Sequence, residues 1–160
     1  ITGFVPGSDI IDLSVTIKDD AAGTTINKAG FGATNAIAST DFFTLAHLDL
    51  ANDGNSDIVH TADCVFEIDS SLGTVATMNA ANFLTTFDGA SGLKASGNSR
   101  GTFVFVAYSG TGTDADAGIF EVNFAGATTA TKILESGDTV TQLALLKGVG
   151  ADNVTSADII

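Results

Sequence analysis

GTFVFVAYSGTGTDADAGIFEVNFAG, residues 101–126, is the stretch that decides the predicted fold. Its first run, GTFVFVAYSG, is apolar on both faces, which is typical of a strand in the centre of a sheet rather than at its edge. A turn rich in Gly and Asp follows, and IFEVNFAG then reads as a second strand. The two runs therefore predict an antiparallel hairpin at the centre of the fold.

Strand patterns also lie outside this hairpin. SDIIDLSVTI (residues 8–17) and TVTQLALLKGV (residues 139–149) are rich in β-branched and apolar residues, which favours strands, although a short helix is an alternative for the second run. DCVFEID (residues 63–69) alternates, with Phe66 and Ile68 on one face and Val65 and Glu67 on the other. These patterns predict a mainly-β chain.

One segment has helical periodicity instead. Between residues 74 and 88 the apolar residues recur at steps of three and four, as on the buried stripe of an amphipathic helix. They are Met78, Ala81, Phe83, Leu84 and Phe87. Asp88-Gly89 is a typical helix stop. We expect a single mainly-β domain over residues 1–160, an antiparallel sandwich-like or roll structure with this one short helix.

Composition narrows the classes of partner. The chain has 6 Lys and Arg against 19 Asp and Glu, a formal net charge of -13. Such a surface repels nucleic-acid phosphates and anionic lipid, so we expect no nucleic-acid partner. No apolar run approaches the roughly 18 residues of a membrane helix, so we expect no membrane insertion. Cations are the natural counterpart of this charge.

An acidic loop, DLANDGNSDIV (residues 49–59), offers one cation-binding pattern. Loops of the D-x-[DN]-x-[DN]-G type converge oxygen ligands on calcium, with Gly54 at the sharp turn. The candidate ligands are Asp49, Asp53, Asn55 and Asp57. Ala51 supplies no side-chain oxygen at the third position, and His60 replaces the bidentate Glu of an EF-hand. Calcium binding and a solvated Asx-rich turn without metal are both open interpretations.

Other candidate sites are weak. Asp114 and Asp116 lie two apart in the hairpin turn, where turn chemistry is an alternative to an ion. His47 and His60 lack a third ligand at metal-site spacing. No zinc-protease helix, dinucleotide fingerprint or P-loop is present in the sequence. We therefore expect a non-catalytic chain.

The first residues, ITGFVPGSDIIDLS, match a pattern of the kind I-x-x-F-x-x-G-x-D-x-I-D-L-S. The matching residues are Ile1, Phe4, Gly7, Asp9, Ile11, Asp12, Leu13 and Ser14. This segment resembles the one that follows the calcium-binding nonapeptide repeats of RTX (repeats-in-toxin) exoproteins. The repeats themselves are absent from these 160 residues, so their calcium sites are not carried over to any residue here.

The last residues, LLKGVGADNVTSADII, are similar to the ends of the same exoproteins. The matching residues are Leu146, Gly148, Val149, Asp158, Ile159 and Ile160. In that family the end is an uncleaved signal read by the type I (ABC-transporter) export machinery, so the resemblance implies a secretion signal over residues 146–160. The hairpin of residues 102–126 also resembles hairpins in such tails.

The resemblance implies a location and a class of function. We expect an extracellular or cell-surface protein that is associated with calcium and passes through an ABC-type exporter. The specific expectation is a structural subunit of a surface layer or filament, whose partner is another copy or a cell-surface component. The alternative is an accessory C-terminal domain of a secreted hydrolase, such as a protease or a polysaccharide-modifying enzyme.

Overall fold

A computed structural model of the chain describes residues 1–13, 42–48, 65–89, 91–95, 102–124 and 132–159. Seven strands, one α-helix and one 3-10 helix lie in these ranges. The strands are β1 (Phe42–Leu45), β2 (Val65–Ile68), β3 (Lys94–Ala95), β4 (Thr102–Tyr108), β5 (Ala117–Asn123), β6 (Lys132–Ile133) and β7 (Thr139–Leu146). The helices are α1 (Ala80–Phe87) and the 3-10 helix Ser156–Asp158. The prediction of a mainly-β chain with one short helix is confirmed.

Five strands form a mixed sheet in the order β1-β2-β4-β5-β7, and β3 and β6 form a separate antiparallel pair. The β4–β5 and β5–β7 pairings are antiparallel, but β1–β2 and β2–β4 are parallel. The sheet is therefore mixed, whereas an antiparallel sandwich-like or roll structure was expected. Parallel neighbours need a long crossover, and the connection from β2 to β4 supplies one that carries α1.

The predicted hairpin is confirmed. β4 pairs with β5 from Thr102 opposite Asn123 to Tyr108 opposite Ala117. The predicted strand in residues 139–149 is also confirmed as β7, which pairs with β5 around a bulge at Leu143. The strand predicted for residues 8–17 is not formed in its described part, where Ile11 makes only an isolated bridge.

The five-stranded sheet is covered on both faces. β4 sends Phe103, Phe105 and Ala107 to the face packed by α1, which we call the helix face. Its other side chains, Val104, Val106 and Tyr108, lie in a second cluster on the opposite face. The prediction that this strand is central and buried on both sides is confirmed, and β2 divides its side chains in the predicted way, with Phe66 on the helix face and Val65 opposite.

Helix α1 begins later than its apolar stripe. The side chain of Asn79 caps it by accepting a hydrogen bond of 2.9 Å from the Asn82 amide. Residues 74–79 are not helical, and the Val75 amide donates to the Tyr108 carbonyl at 2.8 Å instead of to a helical partner. The helix ends at Phe87, and Gly89 adopts a φ of 80° as the predicted stop requires. Within the described ranges no helix has the length and apolar character needed to cross a bilayer.

Candidate functional site

The predicted calcium ligands Asp49, Asp53, Asn55 and Asp57 lie outside the described residues, and so does His60. The calcium loop therefore stays a prediction. In the part of the chain that the structure describes, no group of three or more His, Cys, Asp or Glu side chains is arranged to hold a metal ion.

The second acidic pair lies in the turn between β4 and β5. Asp116 accepts hydrogen bonds from Lys147 Nζ at 2.6 Å and from the Gly148 amide at 3.0 Å. The lysine and this amide hold the pKa of Asp116 below its ordinary value. Both carboxylate oxygens are thus engaged in fixing the turn against the residues that follow β7, which favours the structural interpretation of this turn.

The face opposite α1 is covered by the two segments that carry the resemblance, so we call it the terminal face. Residues 1–13 (the N-terminal segment) contribute Phe4, Ile11 and Leu13 to its apolar cluster, and residues 147–159 (the C-terminal segment) contribute Val149, Val154 and Ile159. The segments contact each other through parallel bridges, Thr2 with Lys147 and Ile11 with Ile159.

The matched residues of the N-terminal segment have identifiable structural roles. Three of the four apolar members are buried in the terminal face, whereas Ile1 is exposed. Gly7 has a φ of 76°, a left-handed conformation that suits glycine. Asp9 closes the turn because its Oδ2 accepts a hydrogen bond of 2.8 Å from the Val5 amide. The pattern therefore specifies a turn that presents an apolar face.

Asp158 joins the two segments. Its carboxylate is fully buried and accepts hydrogen bonds from the Gly7 amide and, at 2.8 Å each, from the amide and hydroxyl of Thr155. The Thr155 bonds form the capping box of the 3-10 helix. The Asp158 carbonyl also accepts from the Ile11 amide at 2.7 Å. A buried carboxylate with three donors is well satisfied without a cation.

A second buried carboxylate lies under the C-terminal segment. Glu67 is 3% exposed and accepts hydrogen bonds from the Thr44 hydroxyl at 2.6 Å and from the Tyr108 hydroxyl. The Tyr108 oxygen in turn accepts from the Val154 amide at 3.2 Å. Burial raises the pKa of Glu67, against the opposing effect of its two hydroxyl partners, and burial beside Glu67 also raises the pKa of Tyr108.

Asp152 adds another contact between the C-terminal segment and the sheet. Its carboxylate accepts from the Ser70 amide at 2.9 Å and from the Ser70 hydroxyl at 2.7 Å, just beyond β2. Its φ of 55° is unusual for a residue other than glycine, although Asp tolerates this region better than most. The negative charge of Asp152 raises the pKa of Glu67 further.

A shallow apolar groove lies where the N-terminal segment meets β7. It is lined by Ile1, Ile10, Ile11, Asp12, Leu13, Gln142, Leu143 and Ala144. Ile1 and Ile10 are more than half exposed. β7 is the last strand in the order of the five-stranded sheet, and the bulge at Leu143 interrupts its pairing, a feature that blunts edge strands in many sheets.

Sequence reasoning did not identify the Glu67 network. The alternation in residues 63–69 places Glu67 on the same face as Val65. An acidic residue on an otherwise apolar face was the signal that could have identified Glu67 as a buried carboxylate. The partner Tyr108 lies 41 positions away, so the pairing depends on the parallel β2–β4 register, which local patterns do not specify.

Comparison with known proteins assigns no relative to this mainly-β chain. No family model, no curated protein and no solved structure matches it.

Proposed function

We propose that this chain is a non-catalytic, extracellular structural domain of a surface protein that leaves the cell through an ABC-type exporter and assembles with copies of itself or with the cell surface. A subunit of a surface layer or filament is the specific form of this proposal. Calcium, held by Asp49, Asp53, Asn55 and Asp57, is the proposed stabilising ion.

The packing of residues 1–13 against residues 147–159 carries the proposal. These are the two segments that resemble RTX exoproteins, and they contact each other through Asp158 and through the Ile11–Ile159 bridge. An uncleaved export signal remains in the mature protein, and the packing of residues 147–159 into the folded domain is compatible with that fate. The same burial gives most of the apolar matched positions that the structure describes a structural reason.

Composition supports an extracellular, ion-stabilised role. A net charge of -13 opposes compaction, and a divalent ion that binds only the folded state stabilises that state by mass action. The apolar groove beside β7 offers a surface on which a second copy or a cell-surface component could pack.

A calcium titration of the purified chain tests both parts of the proposal. Calorimetry is expected to show a melting temperature that rises with calcium, and light scattering is expected to show ordered oligomers. Asp53→Ala should reduce the calcium-dependent rise. Asp88→Ala is the matched control, because Asp88 is an exposed aspartate just after α1 and is not one of the predicted calcium ligands.

The outcomes separate the alternatives. A melting temperature unchanged by calcium or chelator would contradict the role of the ion. A strictly monomeric product at every calcium concentration would contradict self-assembly, and would favour the accessory domain of a secreted hydrolase if the precursor also carries a zinc-protease helix.

A further inference from the structure

Three elements meet at the Glu67 carboxylate. Thr44 on β1 and Tyr108 on β4 donate hydrogen bonds to it from either side. Tyr108 extends the connection to the C-terminal segment, because its hydroxyl oxygen accepts the Val154 amide. The carboxylate is therefore one hydroxyl group away from the backbone of the segment that covers it.

The surroundings disfavour a negative charge at this position. Val65, Val104, Val106 and Val154 belong to the apolar cluster of the same face and are at most 1% exposed. The charges that act on Glu67 among the described residues are Asp152, from the C-terminal segment, and Asp69, from the turn after β2, and both are negative. Two hydrogen bonds from neutral hydroxyl groups compensate only part of the cost of burying an ionised carboxylate.

We propose that Glu67 is a protonation-sensitive latch that sets how firmly residues 147–159 close over the terminal face. Closing the segment buries the carboxyl group, and opening it returns the group to water. Protonation of Glu67 therefore favours the closed segment, and ionisation favours its release. This inference concerns the sheet and its covering segment and does not depend on secretion, calcium or assembly.

The sign of the pH effect follows from linkage. Burial raises the pKa of Glu67 in the closed state, while an opened segment returns it toward the ordinary value. The stabilising contribution is complete below the ordinary pKa of 4.5 and is lost as the pH rises through the pKa of the closed state. The closed segment thus becomes easier to open as the pH rises toward neutrality.

Opening of the C-terminal segment has two structural consequences. Opening residues 147–159 breaks the Val154–Tyr108 and Ser70–Asp152 contacts and the hydrogen bond from the Gly7 amide to Asp158. It also uncovers the apolar side chains of β2 and β4 that the segment covers. Release of a segment in this way is a local unfolding step with its own free energy, smaller than that of the whole domain.

Amide hydrogen exchange measured by NMR tests the latch. The reporters are the amides of Val154 and Ile11, which donate to Tyr108 and to Asp158, and the amide of Phe105 in β4 is the reference for the sheet. After correction for intrinsic exchange rates, protection of the reporters should fall as the pH rises above 4.5, by up to about tenfold per pH unit, until Glu67 is ionised in the closed state.

Three variants separate a latch from a merely structural contact. Glu67→Gln is nearly isosteric and does not titrate, so protection of the reporters should lose this pH dependence. Thr44→Val removes one hydrogen bond that favours the ionised form, so the fall in protection should continue to higher pH before it levels off. Asp114→Asn, an exposed change in the β4–β5 turn, should keep the wild-type profile.

Carbon-13 NMR of the Glu67 carboxyl group gives a direct second readout that does not need a variant. A pKa above the ordinary value, matching the pH at which the fall in protection levels off, supports the latch. Equal pH profiles for wild type and Glu67→Gln, or an ordinary pKa at Glu67, would overturn it.

Discussion

The backbone amide of Gly7 donates a hydrogen bond to Oδ1 of Asp158, which lies 151 positions further along the chain. This contact joins the two segments that cover the terminal face. Bringing such distant residues together costs chain entropy, but the cost grows only slowly with loop length. The apolar side chains that both segments bury supply the compensating free energy.

Asp158→Ala is expected to destabilise the chain by about 2–3 kcal/mol, because it leaves the amides of Gly7 and Thr155 and the Thr155 hydroxyl without their common acceptor. Asp158→Asn should cost less, since its remaining carbonyl oxygen still accepts. Urea denaturation measures both free energies of unfolding. Asp114→Ala, at an exposed aspartate, is the control, and its free energy of unfolding should stay within about 0.5 kcal/mol of wild type. Equal free energies for Asp158→Ala and this control would contradict the role of Asp158 as the common acceptor.

Lys147→Gln tests the ion pair with Asp116. Lys147 is half exposed, so the expected loss at neutral pH is only about 0.2–1 kcal/mol. Since the pKa of Asp116 is lowered in the fold, the contribution is present above its ordinary pKa of 3.8 and is lost as the pH falls through the lowered value. The difference in free energy of unfolding between wild type and variant should therefore shrink in acid and in high salt. A difference independent of both would mean that the pair acts through packing.

Local patterns were sufficient for part of this fold. The two-faced apolar run of β4, the hairpin turn and the alternation in β2 follow from residue types within ten positions of each other, and the structure has them as predicted. The parallel pairing of β1, β2 and β4 was not predicted, because it depends on crossovers whose geometry no short pattern encodes. The apolar stripe over Thr74–Phe87 predicted a helix that is longer than the observed one. The Asn79 cap and the hydrogen bond between Val75 and Tyr108 fix the start of the helix at a later residue.

The candidate sites likewise divide into features that local sequence patterns indicate and features that depend on tertiary structure. The motif residues at the two ends were visible as a resemblance, but their mutual contact depends on the whole sheet that they cover. Glu67 and Tyr108 carry no motif and are joined only by register. Titrating groups on apolar faces are therefore recognisable from alternation, whereas their partners require the tertiary structure.

Gly92 is expected to be intolerant of a side chain. A Cβ atom there would lie 2.1 Å from the Phe87 carbonyl oxygen and 2.6 Å from that of Asp88, which are backbone atoms at the end of α1. Gly92→Ala must therefore displace the backbone, and we expect a loss of about 2–4 kcal/mol by thermal or urea denaturation. Gly110→Ala is the matched control, because nothing lies within 4 Å of its added Cβ. Similar stabilities for the two variants would show that the chain after α1 can move without cost.

Phe83 anchors α1 to the helix face. Its ring is fully buried, with its centroid 4.5 Å from that of Phe120 on β5 and 4.9 Å from that of Phe87. Phe83→Ala removes these aromatic contacts and leaves a cavity between helix and sheet, so the free energy of unfolding should fall by about 3–5 kcal/mol. Phe83→Leu keeps most of the volume and should lose less.

Thr85→Ala is the control for this helix, because Thr85 lies on the exposed side of α1 and its hydroxyl donates to the Ala81 carbonyl of the same helix. Alanine has the higher helix propensity, so this variant should be neutral or slightly stabilising. Circular dichroism and urea denaturation of the three variants give the comparison. Because α1 lies in the crossover between β2 and β4, a loosened helix should also reduce amide protection in β2. Protection that stays at the wild-type level in Phe83→Ala would show that the parallel β2–β4 pairing forms without support from the helix.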